Sequence, residues 1–130
     1  MQKTIEIDGR KCEFKTSAAI PRMYRIKFGR DIFTDMSKMK KELEIQEKIR
    51  TEQEKKGEIF ESTLPVSVLE AFENIAFLMH RHGDSSQPTD IEKWLEQFET
   101  FDIYKILPEI IEMWGIENKQ TSIPKKENGK

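Results

Sequence analysis

The sequence predicts an α+β fold made mostly of helix: an N-terminal β-hairpin, about five helices and a disordered C-terminal tail. Three observations carry that prediction. TIEIDGRKCEFK alternates apolar and polar residues around an Asp8-Gly9 pair. From residue 18 onward, apolar residues recur at steps of three and four in successive blocks, the spacing of a helix face. From Asn118, NKQTSIPKKENGK has no periodicity at all. The domain is therefore expected over residues 1–116 and a flexible tail over 117–130.

In the hairpin, Ile5 and Ile7 share one face of the first strand, and Cys12 and Phe14 share one face of the second. Asp8-Gly9 suits a tight turn in which both central residues take positive φ. An isolated hairpin is marginal in water, so its apolar face must lie on a helix.

Thr16 or Ser17 can cap the first helix, AAIPRMYRIKF, and Pro21 falls in its first turn, where a missing N–H matters least. Ile20, Met23, Tyr24 and Phe28 mark its buried stripe, and Gly29 ends it. A second helix starts near Arg30 or Asp31 with the stripe Ile32, Phe33, Met36, Met39 and Leu43. It runs into EIQEKIRTEQEKKGE, where only Ile45 and Ile49 interrupt the charge. That end is either a solvated helix held by Glu–Lys pairs or frayed.

LPVSVLEAFENIAFLMHRHG has no fully polar face, which marks a helix buried on most sides and makes it the centre of the fold. HGDSSQP reads as a loop, and Thr89 with Asp90 caps DIEKWLEQFE, whose stripe is Ile91, Trp94, Leu95 and Phe98. The final helix carries Ile103, Ile106, Leu107, Ile110, Ile111 and Trp114, and Gly115 stops it. Pro108 fits the first turn of a helix beginning near Tyr104 or Lys105. A start at Ile103 would place it further in, with a kink.

Composition narrows the function classes. The chain has 130 residues, 35 % of them charged, and a net charge of -2. That near-balance leaves no overall electrostatic footprint for nucleic acid. The one cysteine, Cys12, excludes an intramolecular disulfide and suits a reducing compartment. No signal peptide and no run of 18 apolar residues is present, so the expectation is an intracellular protein without a membrane partner.

No catalytic residue and no metal ligand set is predicted, and no cofactor. His80 and His82 lack a nearby cysteine or third histidine, and residues two apart on a helix point apart. The favoured reading for them is a positive charge at a helix C-terminus, facing the negative end of its dipole. No Ser–His–Asp order, phosphate-cradling loop or Walker lysine occurs. Met36, Met39 and Leu43 form either an adaptable partner-binding face or ordinary core filler. Trp94, Phe98, Phe101, Tyr104 and Trp114 concentrate aromatic surface in the last third, mostly as core.

The order IEIDGRKCEFK, TSAAIPRMYRIKFGRDIFTDM and WLEQFETFDIYKILPEIIEMWG, then a Lys/Asn-rich end, resembles the tail assembly chaperones of long-tailed phages and prophages of Gram-positive bacteria. The resemblance covers almost the whole chain and is weakest over 40–63. It implies a non-enzymatic factor that binds the tape measure protein and keeps it soluble while tail tube subunits polymerise around it. It further implies a place in the host cytoplasm and absence from the finished virion. On this resemblance Met36, Met39 and Leu43 belong to the tape-measure groove. Many members also make a longer product, by a backward ribosomal slip, whose added domain contacts the tail tube protein. Downstream of Gly115, only Lys125-Lys126 preceded by Pro124 can be encoded as the heptamer such a slip needs. The oligomeric state is left open, a homo-oligomer included.

A rival reading is a small helical adaptor or DNA-binding regulator. SAAIPRMYRIKFG before another helix could form a helix-turn-helix, with Arg22, Arg25, Lys27 and Arg30 on phosphates.

Overall fold

A computed structural model describes residues 1–57, 64–99 and 102–115. Its first elements are β1 (Gln2–Ile7) and β2 (Arg10–Lys15), paired antiparallel with Ile5 opposite Cys12 and Ile7 opposite Arg10. Asp8 and Gly9 take φ of 54° and 77°, as the two-residue turn demands. The alternation then delivers Ile5, Ile7, Cys12 and Phe14 to one buried face. That face lies on α3.

Five helices follow: α1 (Ala19–Phe28), α2 (Ile32–Lys55), α3 (Val66–Gly83), α4 (Ile91–Leu95) and α5 (Leu107–Met113). The α+β, mostly helical architecture is the expected one. α3 is the hub, with β2, α1, α2 and α4 all packed on it. Residues Ile75 to His80 are buried without interruption, so its lack of a polar face has its cause in being surrounded. At its end Gly83 runs against β2: a Cβ there would stand 2.6 Å from the Glu13 carbonyl oxygen. Only glycine lets the two backbones come so close.

The helix ends show how sequence sets length. The cap expected at Thr16 or Ser17 is corrected: the N-cap of α1 is Ala18, which has no polar side chain to cap with. Ser17 Oγ accepts from the Ala19 N–H at 3.2 Å, and the Thr16 hydroxyl turns back to the Met1 carbonyl. Gly29, at φ 69°, donates to the Arg25 carbonyl at 2.8 Å and closes α1. Asp31 caps α2, its carboxylate accepting from the Phe33 N–H at 2.8 Å. The charged half of α2 is helical to Lys55, with Arg50 paired to Glu47 and Glu54. Asp90 caps α4, accepting from the Lys93 N–H at 3.2 Å.

Several expectations are corrected. α4 stops at Leu95 rather than reaching Glu99, because the chain turns to bury Phe98 against Trp94, with ring centroids 5.2 Å apart. The Glu99 N–H then reaches the Asp8 carboxylate at 3.0 Å, tying this turn to the hairpin. The last helix is preceded by a 3-10 turn over Asp102–Ile106, and Pro108 sits in the first turn of α5. Proline has no N–H to return to the preceding turn, so α-type bonding cannot run through it. Met23, assigned to a buried stripe, is exposed, and so is Phe33. Residues 117–130 and Phe101 lie outside the described residues.

Candidate functional site

α2 carries the candidate residues, and it is two structures in one. It packs on α3 and α5, and its buried residues all fall in its first half. There Met36 and Met39 have no exposed surface. This corrects their assignment to a partner-binding face: they fill the core, and no partner reaches them in the folded protein. Leu43, the third residue of that group, is half-buried against the core. It forms the floor of an open groove of about 520 Å³ together with Pro108 and Ile111 of α5. Lys40, Glu44, Glu47 and Glu112 stand around it.

Beyond Leu43 the apolar residues change sides. Ile45 and Ile49, one turn apart, are each 42 % exposed. Lys41, Glu44, Glu47, Lys48, Thr51 and Glu52 line an open hollow with Ile45. Long aliphatic stems beside two isoleucines make an amphipathic strip with charged edges. Such a strip can take the apolar face of a partner helix while its rim selects by charge.

A buried charge cluster was missed in the sequence. Asp35 is only 3 % exposed, and its carboxylate accepts from the Tyr24 hydroxyl at 2.6 Å and from the Arg30 guanidinium at 2.8 and 2.7 Å. Hydrogen bonding from Arg30 holds the Asp35 carboxyl below its ordinary range against the opposing effect of burial. Burial, then the Asp35 carboxylate, pushes the Tyr24 hydroxyl up. The signal was available: Asp35 stands between Ile32 and Met39 on the apolar stripe, where a carboxylate needs a cation. Arg30 is thus bound to Asp35 rather than free for a phosphate.

His80 does not hold the charge expected of it. His80 is buried, stacked on Phe14 at 4.9 Å, and its Nδ1 accepts from the Trp94 indole N–H at 2.9 Å. Burial lowers its pKa to about 4, so it is neutral at pH 7. His82 Nε2 lies 3.0 Å from Ser17 Oγ, which joins the end of α3 to the start of α1. Among the described residues, no group of three or more histidines, cysteines or carboxylates is placed to hold a metal ion. No described helix is long and apolar enough to cross a membrane. Lys125 and Lys126 lie outside the described residues.

No protein-family model, curated protein or solved structure matches the chain.

Proposed function

We propose that the protein is a non-enzymatic tail assembly chaperone that binds the tape measure protein and keeps it soluble during tail tube assembly. The observation that supports this is the second half of α2, which holds no fully buried residue and carries Ile45 and Ile49 exposed among paired charges. A long, helical, aggregation-prone partner needs a holder with shallow contact sites of this kind, each weak and many used together. The reading moves the contact from Met36 and Met39 to Ile45 and Ile49, with Leu43 at the border. It keeps the host cytoplasm as the place of action, with the protein left out of the virion. It also keeps a longer frameshifted form, slipping at Lys125-Lys126, as the route to the tail tube protein.

Co-expression tests it. Tape measure fragments that pellet when made alone should stay in the supernatant when this chain is made with them. Fragments that pellet regardless would remove the reading. A DNA-binding role has less support, since Arg30 is committed to Asp35 and only Arg22, Arg25 and Lys27 remain on α1.

A further inference from the structure

The stretch from Lys15 to Arg30 holds five cations and no acidic residue. Within it α1 buries Ile20 and Tyr24 in the core. Ala19, Met23 and Ile26, spaced by four and three, line up along a different side of the helix. All three are exposed, Met23 by 37 % and Ile26 by 66 %. Apolar residues at these steps are what one helix presents along a seam with another.

Both edges of this seam are cationic. Helical geometry sets Arg22 along one edge and Lys27 along the other, the positions from which charges choose the partner in a helix pair. Both side chains are exposed. Among the described residues neither pairs with a carboxylate. The Lys27 ammonium stands 5.8 Å from the Phe28 ring centroid. The hollow around Ile45 differs, since its edge carries charges of both signs.

We propose that the seam of Ala19, Met23 and Ile26 docks a helix of another protein, one whose apolar stripe is edged with glutamates or aspartates. Met23 and Ile26 pack into that stripe, while Arg22 and Lys27 meet its carboxylates. Such rim charges decide which helix is accepted more than how tightly it is held. α1 has ten residues and spans about 15 Å, so the contact is small and belongs at the weak end of protein interfaces. It lies on another helix than Ile45 and Ile49, which leaves the proposal independent of the chaperone reading. A phospholipid surface fits less well, because Tyr24 is buried and Phe28 half-buried, leaving Met23 and Ile26 to insert. Duplex DNA fits less well too, since the apolar seam occupies the ground between the cations that would meet phosphate.

Fluorescence anisotropy with two stapled helical peptides tests this, stapled because short helices are marginal alone. Each peptide carries leucines at steps of three and four; one edges them with glutamates, the other with lysines. At low salt the full chain should bind the glutamate-edged peptide about tenfold or more tighter than the lysine-edged one. Arg22→Glu with Lys27→Glu should reverse that order. Ile26→Asn should weaken the glutamate-edged peptide by about tenfold. Thermal melts of both variants should match wild type, because the altered side chains face water. Ile45→Glu with Ile49→Glu should leave the peptide bound as before, which separates this seam from the chaperone site. Equal binding of the two peptides overturns the proposal, as does full binding by a folded Ile26→Asn chain. Tighter binding of a short DNA duplex or of phosphatidylserine vesicles than of the glutamate-edged peptide, lost in Arg22→Glu with Lys27→Glu, overturns it in favour of that surface.

Discussion

Phe72 has no exposed surface, and its ring lies 5.8 Å from that of Tyr104, which bridges α3 to the 3-10 turn. Phe72→Ala should therefore cost about 3–5 kcal/mol in urea melts, a large share of what a small domain has. A loss below about 1 kcal/mol would mean the hub is misplaced. Gly83→Ala drives a methyl group against the Glu13 carbonyl, a backbone atom that cannot swing aside. It should lower stability by about 1–3 kcal/mol, whereas the same change at an open helix position would be favourable. Equal melting of variant and wild type would contradict the close approach of α3 and β2. His80 gives the third test. The unfolded chain takes up its proton near pH 6.5, and the native chain refuses it until about pH 4. Stability contributed by neutral His80 is thus complete above 6.5 and falls as pH drops through that window, by up to about 3 kcal/mol. Asp84, Arg10 and Glu13 supply the field around the ring. Asp35 and Asp84, both held low, add their own losses only below pH 3.8. His80→Gln, which keeps an acceptor for Trp94, should flatten the melting profile between pH 6.5 and 4.5; an unchanged slope would show that His80 is not its source.

At the scale of elements, the α1–α2 corner rests on one carboxylate. Asp35→Ala leaves the buried Tyr24 hydroxyl without its acceptor, while Arg30, 52 % exposed, returns to water. The expected loss is about 1–3 kcal/mol, set by the orphaned hydroxyl rather than by the broken ion pair. Denaturant melts that show no change would mean the hydroxyl finds water. Elements themselves were legible because their signals are local: Asp8-Gly9 for the hairpin, Asp31 and Gly29 around the corner, Ile75 to Met79 for the buried helix. What was not legible is what covers a stripe. The residues themselves favour filler for Met36 and Met39, and only the resemblance puts them on a binding face, because the sequence does not say that α2 packs on α3 and α5. His80 was misread for the same reason. Its position at a helix end is local knowledge, but Phe14 and Trp94 arrive from distant parts of the chain, and their desolvation outweighs the helix dipole.

For the whole molecule, the core and the candidate binding surface occupy different parts of α2, so binding and folding can be separated by mutation. Ile45→Glu with Ile49→Glu alters two side chains that already face water and touches nothing that Met36 or Met39 supports. The central claim is that this outward strip holds the tape measure protein. Its most direct test is co-purification of tape measure fragments with wild-type and doubly substituted chains, alongside thermal melts of both. The account predicts unchanged melts and loss of the co-purifying fragment from the double variant. Retention of the fragment at wild-type level by a folded double variant would contradict it.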